Sequence, residues 1–217
     1  MKNSEIRTRA RQDLGGSLFH RNWLTALAIC LVAEMCTNFI RLLSNGSSNR
    51  SSVFWALAGL LVSIVIGGCI AYGLSMTFLN KLRGADQFEF SDLFTGFHMF
   101  VDCFVLNLMR SLLIGLWFLI PIAGLYFGIR KAYSYCLCCY VLVDHPEFSW
   151  KECLDHSTQL MEGARWKCFC LEFSFVGWAL LGLLACGIGA LWVPPYFHAS
   201  MANFYEDRKR SCGETLM

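Results

Sequence analysis

Two long stretches of this chain contain no Asp, Glu, Lys or Arg, and they constrain the fold more than any other feature. Residues 51–80 and residues 173–205 are both free of charge. A helix needs about 20 apolar residues to cross the roughly 30 Å hydrocarbon core of a bilayer. The second stretch would extend about 50 Å as one helix, which favours two helices joined near residues 186–189. The pattern therefore predicts a helical membrane protein with several spans.

The composition points to the same class of protein. Hydrophobic residues make up 56% of the 217 positions and charged residues 16%, against about 45–50% and 25% in soluble domains. No basic patch is interleaved with aromatic residues, so nucleic acid is not an expected partner. Most of the 12 cysteines lie in apolar stretches and are interpreted as small buried side chains. The expected partner is the lipid bilayer.

We predict an all-α fold: a polytopic transmembrane helical bundle, built as a single membrane domain over residues 1–217. Four to six of its six hydrophobic segments are expected to span the bilayer. Residues 1–22 form a basic interfacial N-terminus, residues 144–165 a cytoplasmic amphipathic helix and residues 207–217 a polar tail. The hydrophobic segments are residues 23–43, 53–79, 102–127, 130–143, 166–188 and 190–206.

Segment 130–143 is short for a span, so it is expected to be a short or kinked span, or a re-entrant piece. Whether this segment and segment 190–206 cross the bilayer is left open. The glycines in residues 51–80, including Gly67, Gly68 and Gly73, are expected to let a neighbouring backbone approach closely.

Two amphipathic helices are expected outside the spans. Ile6, Ala10 and Leu14 recur at a spacing of four, so residues 3–14 form either a helix lying on an anionic leaflet or a frayed basic tail. In residues 144–165, Ser149 and Glu152 have the spacing of a capping box, and a glycine at position 163 is a stop signal. The apolar face of that second helix is expected against the membrane or the bundle.

The distribution of positive charge predicts the orientation. With six spans and the N-terminus inside, thirteen of the 18 Lys and Arg residues lie in cytoplasmic segments. Four lie outside, namely Arg41, Arg50, Arg130 and Lys131. A four-span version puts Lys151, Arg165 and Lys167 outside and weakens the asymmetry to ten against seven. The positive-inside rule therefore favours six spans, with both termini cytoplasmic.

Polar groups at membrane depth are candidate site residues, because each ionisable one costs roughly 2.5 to 3.5 kcal/mol at a helix centre. Glu34 and Arg110 are expected to pair inside the bundle, with Asn107 extending the polar site. The pair would either line a substrate or proton path or fix the helix register, and the register role is favoured. Candidate helix breaks, of the kind transporters use, are Pro121, Gly187, Gly189, Pro194 and Pro195.

Two further clusters have weaker functional interpretations. Glu152 and His156 have the i, i+4 spacing of a metal-binding helix face, near Asp144, His145 and Asp155. An exposed charged face is the favoured explanation, and neither a metal nor another cofactor is expected. The C-x-x-C spacing from Cys136 to Cys139 lies in an apolar run, where packing is favoured over redox chemistry.

Several stretches resemble a known family. They are FSDLFTGFHMF, IPIAGLYFGIRKAYSY, LMEGARW and SFVGWALLGLLACGIGALWVPPYFHASMANFY, and they are similar to the integral membrane family called domain of unknown function 975. The resemblance implies a multi-helical protein from Firmicutes, distantly similar to the membrane domain of some glycerophosphodiester phosphodiesterases. The family has no assigned activity. The chain departs from it at LGGSLFHRNW, where a basic helix usually continues, and in its cysteine content.

These observations predict an integral membrane protein of the bacterial cytoplasmic membrane that is not an enzyme. The favoured function is that of a membrane partner or accessory subunit, which binds another membrane protein or a second copy of itself. The alternative is a small transporter or permease that uses Glu34 and Arg110. A metal-dependent hydrolase is the weakest of the three hypotheses, since no catalytic motif is present. The sequence identifies no substrate or partner.

Overall fold

The structure, a computed structural model, describes residues 2–16, 21–45, 53–85, 88–118, 123–184 and 191–213. Within these ranges the chain is helical and contains no β-strand, so the predicted all-α class is confirmed. A short 3₁₀ helix, Thr95–Phe97, lies between α4 and α5. The α-helices are α1 (Asn3–Asp13), α2 (Arg21–Asn45), α3 (Val53–Leu82), α4 (Phe90–Phe94), α5 (Phe100–Phe118), α6 (Ala123–Ser134), α7 (Cys138–Asp144), α8 (Trp150–Leu160), α9 (Arg165–Leu184) and α10 (Val193–Ser211).

Helix α3 lies at the centre of the bundle. It packs against α2, α4, α5, α7 and α10. Its sequence has no charge before Lys81, and side chains such as Tyr72, Phe78 and Leu79 are buried. An uncharged helix can be surrounded by other helices, because no face of it requires water.

Glycines allow two elements to dock on α3 at backbone distance. A Cβ added to Gly73 would lie 2.0 Å from the carbonyl oxygen of Leu93, and one added to Gly68 would lie 2.9 Å from that of Cys103. A Cβ on Gly67 would meet no atom of the described residues within 4 Å. The predicted close approach is therefore confirmed at Gly73 and Gly68 and is wrong at Gly67.

The apolar face of the N-terminal helix α1 is covered by protein. Ile6, Ala10 and Leu14 are fully buried, and α1 packs against α10 and α9. The expectation that this face lies on a lipid leaflet is therefore wrong, and so is the frayed tail. The apolar stripe is short and narrow enough for α10 to cover it. The Tyr196 hydroxyl, which donates to the carbonyl of Arg7 at 3.2 Å, helps to hold α1 in place.

Helix α8 has the predicted capping box at Ser149 and Glu152. It is shorter than residues 144–165, because Ser149 caps its start and the chain turns at Gly163 with a φ of 71°. Cys153, Leu154, Ser157 and Leu160 are buried. They face the bundle, since α8 packs against α5, α6 and α7.

The expected boundary between segments 102–127 and 130–143 is wrong. Helix α6 continues from Ala123 to Ser134 through Arg130 and Lys131, and the break comes later, at residues 135–137. Arg130 is exposed on the helix surface, so its charge does not interrupt the helix. Long cationic side chains can leave an apolar environment without a change of backbone.

The C-terminal helix α10 also differs from expectation. Pro194 and Pro195 lie in its first turn, where an N–H would be unsatisfied in any case, so they begin a helix and do not break one. Helix α10 continues to Ser211, beyond the expected end of the hydrophobic segment at residue 206 and into the expected tail. Residues 199–207 are buried, which makes this half of α10 part of the core.

One helix in the described part of the chain is long and apolar enough to cross a membrane. It is α5, over Phe100–Trp117, with a mean hydropathy of 1.6. Only 11% of this stretch is buried inside the protein.

Candidate functional site

The ends of three helices meet at the carboxylate of Asp144. Asp144 is the last residue of α7, Arg83 follows the last residue of α3, and the C-terminal half of α10 supplies Tyr205, Glu206 and Lys209. We call these five residues the Asp144 network. They lie far apart in the sequence and only the packing of α3, α7 and α10 brings them together.

Asp144 accepts four hydrogen bonds. The Arg83 guanidinium donates two in a bidentate arrangement, at 2.6 Å to Oδ1 and 2.9 Å to Oδ2. Lys209 Nζ donates to Oδ2 at 2.6 Å, and the Tyr205 hydroxyl donates to the same oxygen at 2.8 Å. The Asp144 side chain is 4% exposed, so the carboxylate is held almost entirely by protein donors.

Arg83 connects this carboxylate to a second one. Its Nε and Nη2 atoms donate to Oε1 of Glu206 at 2.9 and 2.7 Å, while its fork also engages Asp144. The planar guanidinium suits such a bridge, because it presents five donors in a fixed geometry. Arg83 therefore joins the end of α3 to both α7 and α10.

The network changes the acidity of Asp144. Burial opposes ionisation, but the hydrogen bonds from Arg83, Lys209 and Tyr205 outweigh it and lower the pKa of the carboxyl to about 2. Asp144 is therefore ionised at every physiological pH.

Helix α10 has further polar contacts with its neighbours. Lys167 at the start of α9 donates to Asp207 at 2.9 Å, and burial of that carboxyl is outweighed by the lysine, so the pKa of Asp207 is lowered. Arg208 Nε donates to the carbonyl of Leu160 at 2.7 Å. Asn203 donates to Asp13 at 2.7 Å. Helix α10 is thus fastened to α9, α8 and α1 as well as to α3 and α7.

The structure does not bring Glu34 to Arg110. Glu34 is exposed on α2, where its described hydrogen-bond partner is Asn38 at 3.5 Å. The Arg110 Nη1 atom lies 3.8 Å from the sulfur of Cys138. Asn107 donates to the carbonyl of Ile64 at 2.7 Å. The expected ion pair is therefore absent among the described residues, because α2 presents Glu34 to the surface and α5 turns Arg110 towards α7.

The remaining candidate positions are placed as follows. Pro121, Gly187 and Gly189 lie outside the described residues. Pro194 and Pro195 lie in the first turn of α10.

Residues of the two weaker candidate clusters, the Glu152–His156 face and the Cys136–Cys139 segment, have structural partners in the bundle. Glu152 accepts from the backbone and hydroxyl of Ser149, at 2.7 and 2.8 Å. Within the ranges described, no group of three His, Cys, Asp or Glu side chains is arranged to hold a metal. Cys136 lies 4.0 Å, sulfur to sulfur, from Cys168 of α9, and Cys138 is buried. These cysteines pack between helices.

Sequence reasoning missed the Asp144 network. A signal exists, since Arg83 and Asp144 each stand at the end of an apolar stretch and Glu206 to Arg210 follow another. Charges at such positions are common at membrane boundaries. Their pairing, however, depends on which helices are neighbours, and periodicity carries no such information.

The fold and the site together define an all-helical bundle whose helices are tied at one end by buried ion pairs. Residues 1–134 and 122–211 match the model of a family described as "Protein of unknown function (DUF975)". The chain belongs to this family, which confirms the resemblance. No curated protein and no solved structure matches the chain.

Proposed function

We propose that the chain is a multi-pass integral membrane protein that acts without catalysis, as a partner or accessory subunit of another membrane protein or of a second copy of itself. We also propose that the protein lies in a bacterial cytoplasmic membrane and is related to the membrane domain of glycerophosphodiester phosphodiesterases. Both statements rest on the family resemblance. The observation that carries the proposed function is the exposure of large apolar side chains on the outer helices.

Helix α5 supplies the first part of this observation. A core helix in a soluble protein would also be apolar, but it would be buried. Most of α5 is not buried, and Val101, Leu112 and Leu116 are 66%, 55% and 64% exposed. An apolar helix with an open apolar face is suited to lipid, where the surrounding solvent is as apolar as the side chains.

Helices α2, α6 and α9 extend this surface. Their exposed apolar residues are Leu24, Leu31, Met35, Tyr126, Phe127, Ile129, Trp166, Phe173, Val176, Trp178 and Leu180. Soluble monomers rarely expose apolar patches of more than a few hundred Å². Coverage by lipid tails or by a partner helix removes the cost of exposing such a surface to water.

Polar contacts of α10 and of the ends of α3, α7 and α8 support six spans over four. In the six-span topology, residues 80–101, 144–165 and both termini lie on one side of the bilayer. Arg83 contacts Asp144 at 2.6 Å, and Arg208 contacts the carbonyl of Leu160 at 2.7 Å. Side chains cannot reach across a hydrocarbon core of roughly 30 Å. The four-span alternative separates these partners and is disfavoured.

A non-catalytic function agrees with the state of the polar groups. Asp144, Glu206 and Asp207 each accept hydrogen bonds from cations of the same chain. Carboxylates that are paired with cations of the same chain hold helices together and do not present a free base or nucleophile. The network is therefore best explained as a structural element that holds the helices together. The apolar outer surface is then the part of the protein that binds lipid or a partner.

Membrane insertion and topology are tested together. The chain should stay in the membrane pellet after alkaline carbonate extraction and leave it with detergent. Cys170 and Cys212 are exposed, so Cys212 is tested in a Cys170→Ser background. The exposed residue Asp155 is replaced as Asp155→Cys in a background that carries both Cys170→Ser and Cys212→Ser. A membrane-impermeant maleimide should label both positions in inverted vesicles and neither in right-side-out vesicles. Release by carbonate, or labelling of the two positions from opposite sides, contradicts the proposal. Cys153 is unsuitable as a reporter because it is fully buried.

Binding to a partner is tested by crosslinking in native membranes. A photoreactive amino acid at the exposed position of Phe173 should form one discrete protein adduct, whereas the same group at buried Leu171 should form none. An adduct of twice the 24.6 kDa chain mass indicates a second copy, and another mass indicates a different protein. Adducts with lipid alone contradict the partner function and leave the membrane assignment intact.

One observation favours the permease as a second candidate. Arg110 is half-buried and has no carboxylate partner among the described residues, and a cation at membrane depth is costly unless it meets an anion. If the chain conducts anions, Arg110→Met should abolish chloride efflux from proteoliposomes. Arg130→Met, at an exposed position, should not. Equal efflux from both variants and the wild type rejects the permease.

A further inference from the structure

A polar cavity of about 310 Å³ lies between α1, α10 and the end of α3. Its lining includes Arg9 and Gln12 from α1, Leu82 from α3 and Arg210 from the last turn of α10. Volumes of roughly 300 Å³ and above are typical of small-ligand sites. The cavity is separate from the apolar outer surface on which the proposed partner function rests.

Two arginines in this cavity have no direct polar contact among the described residues, although the charge of Arg9 acts on Asp13. Arg9 and Arg210 are both exposed, and within the described residues neither makes a hydrogen bond or ion pair. They come from different helices and line the same space. Each guanidinium presents donors in a planar fork that matches the oxygens of a phosphate bidentately.

The acidic residues of the cavity are already engaged. Glu206 accepts from Arg83 at 2.7 Å and Asp207 accepts from Lys167 at 2.9 Å. Asp13 has no salt bridge in the described part of the chain, but it accepts a hydrogen bond from Asn203. Burial raises the pKa of Asp13, and the hydrogen bond from Asn203 and the charges of Arg9 and Lys81 oppose that shift.

The unused charge in the cavity is therefore positive. Arg9 and Arg210 stand against the single carboxylate of Asp13, because Glu206 and Asp207, together with Asp144, are balanced by the three cations Arg83, Lys209 and Lys167. A cation would find no free carboxylate pair here, whereas an anion would find two free guanidinium forks. We propose that this cavity binds a phosphate-bearing group, held between Arg9 and Arg210.

Two sources can supply this group: the headgroup of an anionic phospholipid and free phosphate in solution. The test uses the full chain purified in neutral detergent, at constant ionic strength. One arm measures binding of inorganic phosphate by equilibrium dialysis. The other measures retention of phosphatidylglycerol by native mass spectrometry, with diacylglycerol as the control that lacks phosphate.

Wild-type protein should bind in at least one arm, and the double variant Arg9→Gln, Arg210→Gln should bind at least tenfold more weakly. The control, Arg11→Gln, removes an exposed arginine of α1 that does not line the cavity, so it should bind as the wild type does. A second double variant, Arg9→Lys with Arg210→Lys, keeps the charge but loses the fork. Its binding affinity should lie between those of the wild type and the glutamine variant. The lysine variant takes the place of the glutamine variant in the test if the glutamine variant fails to fold.

Binding of phosphatidylglycerol alone assigns the lipid headgroup, and binding of inorganic phosphate alone assigns a soluble ligand. The inference is overturned if wild type binds in neither arm, or if Arg11→Gln weakens binding as much as the double variant. These results do not depend on crosslinking at Phe173, so failure of the cavity and failure of the partner function are distinguishable.

Discussion

Removal of the charge at Asp144 is the sharpest test of the structure. The change is Asp144→Asn, which keeps the size of the side chain but leaves Arg83 and Lys209 without their shared carboxylate. The pKa of Asp144 falls from 3.8 to about 2, which corresponds to about 2 kcal/mol of stability at neutral pH. Breaking a buried pair by removing one partner costs about 3–5 kcal/mol. Because Glu206 still accepts from Arg83, we expect a loss between these figures, of about 2–4 kcal/mol.

The assay is thermal unfolding in detergent, followed with a thiol-reactive dye. Cys30, Cys69, Cys138, Cys153 and Cys168 are buried, so they react only when the bundle opens. A loss of this size should lower the midpoint by about 4–16 °C for a chain of this length. The control is Asp155→Asn at an exposed position, which should change stability by less than about 0.5 kcal/mol.

The pH dependence gives an independent check. The folded-state pKa of Asp144 lies below its ordinary value, so the stabilisation is complete above about pH 4 and is lost as the pH falls towards 2. The midpoint difference between wild type and Asp144→Asn should be constant from pH 7 to pH 5 and about half as large at pH 3. An equal effect of Asp155→Asn, or a difference that does not change down to pH 2, refutes the reasoning.

Three further predictions use the same unfolding assay. Gly73→Ala should destabilise by about 1–3 kcal/mol through overpacking against the carbonyl of Leu93. Gly67→Ala, whose Cβ would meet no described atom within 4 Å, should not destabilise, and equal effects of the two changes contradict the close approach. Ser149→Ala should cost about 1 kcal/mol by removing the capping box, and a neutral result means that this cap does not form. Ile6→Ala should cost about 2–5 kcal/mol because Ile6 is fully buried; a change below about 0.5 kcal/mol indicates that α1 does not dock.

Local patterns were sufficient where a single element sets its own structure. The charge-free run of residues 51–80 predicts a long helix, and α3 occupies Val53–Leu82. Ser149 and Glu152 predict a capping box because both partners lie within one turn. A glycine marks where a close backbone approach is possible, because it has no Cβ, but only the packing shows that Leu93 docks at Gly73 while no described atom approaches Gly67.

Predictions that needed a neighbour were less reliable. Glu34 and Arg110 have opposite charges at similar expected depths, yet the described structure turns them to different surroundings. The stripe of Ile6, Ala10 and Leu14 does indicate an amphipathic helix, but nothing in it distinguishes a lipid leaflet from α10 as the covering surface.

The sequence by itself determined that the chain is helical, apolar and basic at the ends of its apolar stretches, because these are sums over neighbouring residues. Only the tertiary structure decided which charges meet. Arg83 and Lys209 are each dozens of residues from Asp144 along the chain, and both come within 2.6 Å of its carboxylate only through the packing of α3, α7 and α10. An ion pair depends on the distance between two charges in space and not on their separation along the chain. The network therefore could not be predicted from the sequence.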